Sequence, residues 1–263
     1  LDSRQSPLIE YRNITVARNG RAVLDGVSLN IDFGEHVVIL GPNGAGKSFF
    51  IKTITRECYP HSGIPDSSLR ILGKETWNVF ELRNLLGIVS SDLLAACTRN
   101  FTGEQIMLSG FFSSIGVWPH HQVTPAMERK VRQVMELLEI SHLADRRMDE
   151  ISTGEARRIL IGRALVHDPR ALVLDEPTSS LDFHAALSLR TILRKIAGAG
   201  TSMIIVTHNL TDILPEISRV VFLKNGRIFA DGAKEELLTS ASLSRLFDAP
   251  LEVVRRDGYF YLW

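Results

Sequence analysis

Cysteine is scarce in this chain, two in 263 residues, and Cys58 and Cys97 have neither metal-ligand spacing nor the pattern of a disulfide framework. That excludes a disulfide-stapled secreted scaffold and suits a reducing cytosol. Long apolar runs are missing too. No stretch approaches the ~18 apolar residues needed to cross a bilayer, so direct membrane insertion is not expected, and no signal-peptide pattern is present. Charge of one sign is not in excess: Lys plus Arg and Asp plus Glu both number 30. Nothing in the overall balance therefore points to nucleic acid or to a charged tail. The local pairs Arg146-Arg147, Arg157-Arg158 and Arg255-Arg256 read as solvated helix or loop faces. His120-His121 beside Pro119 reads as a loop pair, because no third ligand type clusters there. Residue 1 is Leu, so the chain is expected either to lack its natural N-terminus or to be one piece of a longer protein.

What is present begins with a soluble globular composition, 44% hydrophobic and 23% charged, long enough for one large domain or two small ones. Its most informative stretch is Gly41-Pro42-Asn43-Gly44-Ala45-Gly46-Lys47-Ser48. An apolar run, His36 to Leu40, precedes it and Phe49-Phe50-Ile51 follows, which predicts strand, glycine loop, helix. The spacing G-x-x-x-x-G-K-S is that of a phosphate-binding P-loop. Glycines let the backbone approach a ligand closely. Loop N–H groups and the positive end of the following helix then converge on an anion. Lys47 would reach the β- and γ-phosphates, and the Ser48 hydroxyl would ligate Mg²⁺. About 1% of chains of this length would match the four fixed positions by chance.

Along the chain, two alternating runs, 8–16 and 22–31, flank Asn19-Gly20, a hairpin signal. They predict an antiparallel sheet beside the P-loop core. A helix is expected over 49–57 and a short strand at 69–73. Gly87 to Ser91 reads as the end of a buried strand, followed by a long, mostly helical stretch from 102 to 165. Phe111, Phe112 and Trp118 in that stretch read either as core or as an exposed contact surface. Ala171 to Leu174 and Met203 to Thr207 read as parallel strands buried on both faces, with a helix over 183–197 between them. A second hairpin turns at Asn225-Gly226, and a helical segment and a last strand, Tyr259 to Leu262, end the chain.

The run Ala171 to Leu174 ends in Asp175 and Glu176. Open α/β sheets place ligands at such strand ends. Asp175 suits Mg²⁺ held through water, and Glu176 suits a base that takes a proton from attacking water. Ser152 to Glu155 has the S-x-x-E spacing of a capping box opening a helix. A capped helix start that contains a glycine is also an anion site, and both readings can hold.

The P-loop, the Ser152-Thr153-Gly154-Glu155 helix start, Leu174-Asp175-Glu176-Pro177, Ser180-Leu181-Asp182 and Thr207-His208 stand in the order of an ABC ATPase, which the chain resembles over nearly its whole length. The segment Ile106 to Gly116 resembles more narrowly a soluble bacterial subgroup labelled molybdate-type or photorepair-type. The resemblance implies an α/β fold: a P-loop core, an antiparallel β subdomain and an inserted helical subdomain. It implies one ATP-binding domain over 1–263, with 1–91 and 166–233 as β subdomain and core, 92–165 as helical subdomain and 234–263 as a C-terminal extension. It further implies Mg²⁺-dependent ATP hydrolysis by a head-to-tail dimer, with a second ATP-binding domain as homodimer or tandem partner. Each ATP would lie between one subunit's P-loop, Gly41 to Ser48 with Phe49, and the other's Ser152, Gly154 and Glu155. Lys47 and Glu176 would serve catalysis, His208 would contact the γ-phosphate and Asp182 would connect the sites. A membrane permease is the expected further partner, which would make the chain cytoplasmic and peripheral at the inner face. The alternative is a non-transport ATPase whose dimerisation regulates a protein or nucleic acid; a scaffold that binds without hydrolysing is disfavoured by intact Glu176 and His208.

Three departures from the family pattern carry expectations of their own. Thr153 and Glu155 stand where glycine and glutamine are usual, and Glu155 would put a negative charge near the γ-phosphate unless it turns back into the capping box. Arg18 aligns with the aromatic that stacks on adenine and would replace it with a planar guanidinium. Ser91 aligns with a glutamine that reaches Mg²⁺ and would do so only through a bridging water, with Asp92 as a neighbouring substitute.

Overall fold

The structure is a computed structural model describing residues 6–97 and 100–263. In chain order its elements are β1 (Ile9–Arg18), β2 (Arg21–Ile31), β3 (His36–Leu40), α1 (Lys47–Ile54), β4 (Ser68–Ile71), α2 (Val79–Leu85), β5 (Leu86–Val89), α3 (Ser91–Cys97), α4 (Gly103–Leu108), α5 (Pro125–Leu137), α6 (Thr153–Leu165), β6 (Ala171–Asp175), α7 (Phe183–Gly198), β7 (Ser202–Thr207), β8 (Arg219–Lys224), β9 (Arg227–Ala233), α8 (Lys234–Leu237), α9 (Ser240–Phe247), β10 (Val253–Arg256) and β11 (Tyr259–Leu262). They form two compact units, residues 1–79 with 202–263, and residues 80–201.

In the first unit β1 pairs antiparallel with β2 and β4. The β1–β2 turn is Asn19-Gly20, with φ of 50° and 74°. Positive φ at both central residues gives the turn twist that matches paired strands. Beside it, β3 pairs parallel with β7 and β8, and β8 pairs antiparallel with β9. β3 and β7 are buried almost throughout, as continuous apolar strands require. Tyr11 of β1 stacks on Phe50 of α1 with ring centroids 4.9 Å apart, and its hydroxyl meets Thr53 Oγ1 at 2.7 Å. That aromatic contact fastens the helix after the P-loop to the antiparallel sheet. Burial pushes the Tyr11 hydroxyl far above its ordinary pKa of 10.0, so it stays protonated as a donor. The chain's last strand has a partner that the sequence pattern does not reveal: β10 and β11 form a hairpin.

The second unit is built around α6. Nine of its residues are buried, from Gly154 to Leu165, so the helix is covered on nearly every side by its neighbours α3, α4, α5, α7 and β5. β5 and β6 pair in parallel, Leu86 opposite Ala171 through Val89 opposite Leu174. Thr124 caps α5, whose first residue is Pro125, a helix start that needs no N–H there. Phe111 and Phe112 are half-buried and Trp118 is exposed. They are held by histidines and by each other's neighbours: Phe111 edge-on to His167, Phe112 stacked on His121 and Trp118 edge-on to Phe101.

Candidate functional site

The first unit holds the loop expected to cradle phosphates. The loop leaves the end of β3, where Gly41 N–H donates to Thr207 O of β7 at 3.2 Å. Gly41 is required for space, since a Cβ there would stand 2.2 Å from the backbone oxygen of Leu223. Gly46 is required for conformation and space together: its φ is +105° and a Cβ would lie 2.5 Å from Val23 O. Gly46 is also the N-cap of α1 and offers no side chain to the first-turn N–H groups, nor is any acid present in that turn. Uncapped donors at a helix start with a lysine among them make an anion site. Lys47 is buried, and its ammonium donates to Gly41 O at 2.8 Å and Pro42 O at 3.1 Å, folded back onto the start of the loop. Asn43, Gly44 and Ser48 are exposed along the rim, and Ala45 is packed beneath. A triphosphate therefore fits the residues present.

Two more expected residues flank this cradle. His208 is exposed directly after β7, whose Thr207 accepts the Gly41 N–H. Its turn is braced by Thr207 Oγ1 donating to Asp212 Oδ2 at 2.6 Å and by Asn209 N–H donating to Thr207 Oγ1 at 3.0 Å. Arg18, at the end of β1, lays its guanidinium over the ring of Phe49, 5.7 Å from the centroid.

The second unit holds the acids. Asp175 ends β6, and Glu176 follows with φ +48°, the left-handed region that a branched or long side chain rarely adopts. The Glu176 carbonyl accepts Ser179 N–H at 3.1 Å and a guanidinium N–H of Arg157. Arg157 is only 5% exposed, and Arg158 beside it is half-buried and donates to Ser188 Oγ at 2.8 Å. The expectation of a solvated arginine pair is therefore wrong at 157–158. The helix carrying them has little solvent face, because nine of its 13 residues are buried among its neighbours.

At the start of α6, Ser152 accepts Glu155 N–H at 3.3 Å, and the Glu155 carboxylate accepts both the Ser152 N–H at 2.8 Å and its hydroxyl at 2.7 Å. Those hydrogen bonds hold the Glu155 carboxyl below its ordinary range, aided by nearby His142 and Arg158. The capping box thus exists, and Glu155 is folded back onto Ser152. Gly154 sits against α7: a Cβ would meet that of Ala185 at 2.9 Å. Asp182 caps α7 through Oδ1, 2.8 Å from Ala185 N–H. Ser91 is exposed in the first turn of α3, because β5 already ends at Val89. Ser90 instead lines a cavity of about 10 Å³ with Val89, Leu94, Arg157, Asp175 and Pro177, roughly the room one water needs. Among the described residues no group of three or more His, Cys, Asp or Glu is arranged to hold a metal.

The family described as ABC transporter matches residues 24–179. An ABC transporter ATP-binding protein of Bacillus subtilis, YlmA, is 34% identical over 254 residues, 94% of this chain and 93% of that one. The hemin import ATP-binding protein HmuV of Bradyrhizobium diazoefficiens is 32% identical over 273 residues, 98% of this chain and 94% of that one. A solved structure of a nucleotide-free ATP-binding cassette from an ABC transporter superposes with TM-score 0.75 at 26% identity, over 93% of this chain and 96% of that one. A phosphate cradle on one unit, a carboxylate pair on the other and relatives matched from end to end have one reading: the chain belongs to the ABC transporter family, as an ATP-binding, ATP-hydrolysing subunit.

Proposed function

We propose that the chain drives a transport system by Mg²⁺-dependent ATP hydrolysis in a head-to-tail dimer of ATP-binding domains, docked on a membrane permease. The observation that carries this reading is the cradle at 41–48, with its uncapped helix start and Lys47. Loop N–H groups and Lys47 bind the phosphates, and His208 orients the terminal one. Mg²⁺, when bound, neutralises charge on the β- and γ-phosphates; Ser48 and Asp175 are the side chains to hold it, with Ser91 or the adjacent Ser90 reaching it through water. Glu176 accepts the proton of the attacking water. Ser152 and Gly154 act on the partner subunit's nucleotide, Glu155 stays turned into its cap and Asp182 links the two sites through α7. The single domain then spans the chain, with the helical subdomain and C-terminal extension expected from the sequence. The hemin-import relatives favour uptake as the direction of transport.

Glu176→Gln tests the reading. The amide keeps the shape and loses the base, so the variant is expected to bind ATP, turn over slowly and accumulate as a dimer in size-exclusion chromatography with ATP and Mg²⁺. The trapped form is also the bait for a permease in an affinity pull-down from membranes. A variant that turns over at the parent rate would show that Glu176 is not the base; recovery of nucleic acid or a regulatory protein in place of a permease would replace transport with regulation.

A further inference from the structure

We infer that Arg157 is a positioning residue for the catalytic glutamate: its buried guanidinium fixes the main chain of Glu176 and ties it to the helix that carries Ser152 and Gly154. This rests on Glu176 being the base. Three observations converge. First, Glu176 sits at φ +48°, a conformation that persists for a long side chain only when its surroundings hold it there. Second, both lone pairs of its carbonyl are used, one by Ser179 N–H across the turn and one by Arg157, nineteen residues away in sequence. Third, Arg157 is buried on α6 just over one turn beyond Ser152 and lines the same small cavity as Asp175 and Pro177. A buried cation is retained at a desolvation cost, and the Glu176 carbonyl is one of the groups that holds it in place. The guanidinium is a rigid fork, always charged, and keeps its direction when a flexible lysine would not.

The consequence is mechanical. Ser152 and Gly154 open α6, and any movement of that helix start is carried along a mostly buried helix to Arg157 and from there to the carbonyl of Glu176. The carboxylate that must meet water is thereby set by the state of the helix start. Arg157 acts through Glu176, whose carbonyl it holds. Errors of about 1 Å in such placement cost on the order of 100-fold in rate.

The test compares parent, Arg157→Met and Arg157→Lys in the full chain. Methionine keeps an apolar stem and removes the guanidinium; lysine keeps a cation. For Arg157→Met, kcat is expected to fall ten- to a hundredfold, with KM and the equilibrium affinity for ATP within twofold of the parent. Arg157→Lys recovers part of kcat. Hydrogen exchange at the Ser179 amide, which donates to the Glu176 carbonyl, speeds up at least tenfold in Arg157→Met while exchange along β6 stays as in the parent. In a Glu176→Gln background the Arg157→Met change has no further effect on residual turnover. Parent-like kcat and Ser179 exchange in Arg157→Met would overturn the inference. So would losses of affinity and rate in parallel, additive losses in the double variant, or failure of both variants to fold, each of which makes Arg157 a structural residue. Parent-rate turnover by Glu176→Gln alone would instead sink the assignment of the base, whatever Arg157 does.

Discussion

At Arg18 the exchange of an aromatic for a guanidinium is visible in the sequence, and the structure supplies what the sequence lacks, the ring of Phe49 beneath it. Arg21 is its cross-strand partner, and among the described residues neither arginine has an ion pair. An unpaired planar cation backed by a ring, next to the phosphate cradle, suits stacking on a base. Arg18→Ala and Phe49→Leu should therefore each weaken ATP about three- to tenfold and leave inorganic triphosphate within twofold; isothermal titration with both ligands separates the outcomes. Equal weakening of ATP and triphosphate would mean that the pair supports the loop and not the base. Other residues were less legible. Arg157 hides behind a rule that holds at Arg146-Arg147 and Arg255-Arg256, because only the packing of α6 decides that this arginine has no solvent to face. The offset between Ser90 and Ser91 turns on where β5 ends, and helix and strand ends are set by caps and tertiary contacts that a pattern of residue types does not contain.

Elements are more legible in the sequence than their ends. Both hairpins announced by Asn-Gly are present, and both apolar runs expected as parallel strands are parallel strands. The P-loop helix starts at Lys47, inside the motif, because the motif's own glycine is the cap. The glycines of this loop are not alike, and that gives an ordering. Gly41→Ala would drive a Cβ to 2.2 Å from Leu223 O, a backbone atom with no side chain to swing away. Gly44 has open space around its Cβ and a φ of +79°, so alanine there meets only backbone strain, about 1–2 kcal/mol. Gly41→Ala is expected to lower stability by about 3 kcal/mol, the upper range for overpacking, and more than Gly44→Ala. Urea unfolding of both variants checks the order, and the reverse order would contradict the packing described for the loop. The C-terminal hairpin is half legible: Tyr259 to Leu262 is an aromatic and apolar run that reads as a strand, whereas β10 is Val253-Val254-Arg255-Arg256, whose arginine pair hides its partner role.

At the scale of the whole molecule, no helix among the described residues is long and apolar enough to cross a membrane. HmuV of Bradyrhizobium diazoefficiens carries a hemin-import name and YlmA of Bacillus subtilis does not. Stability should depend on pH through two histidines, one in each unit. His36 has a buried Nδ1 without a hydrogen-bond partner among the described residues, and burial holds its pKa below 6.5 against the opposing pull of Glu216. Burial likewise lowers His167, partly offset by the Gly110 carbonyl. The unfolded chain then binds protons that the folded one refuses. Their contribution is complete above pH 6.5 and is lost as pH falls from there toward the lowered folded values. Melting temperature should drop between about pH 7.5 and pH 5.5, with a shallower slope in His36→Gln and in His167→Gln. Parallel slopes in parent and variants would assign the loss to other groups.

The central claim is that Lys47 and its loop hold the triphosphate while Glu176 serves the chemistry, and one paired measurement tests it most directly: ATP affinity by calorimetry and phosphate release with Mg²⁺, for the parent, Lys47→Ala and Glu176→Gln. The parent is expected to bind and to turn over. Lys47→Ala should lose binding, at least a hundredfold, and turnover with it, because it removes the cation of the loop and charge-assisted bonds to phosphate are the strong ones. Glu176→Gln should keep affinity within a few-fold and lose turnover. Near-parent affinity in Lys47→Ala, or parent-rate phosphate release in Glu176→Gln, would contradict the account.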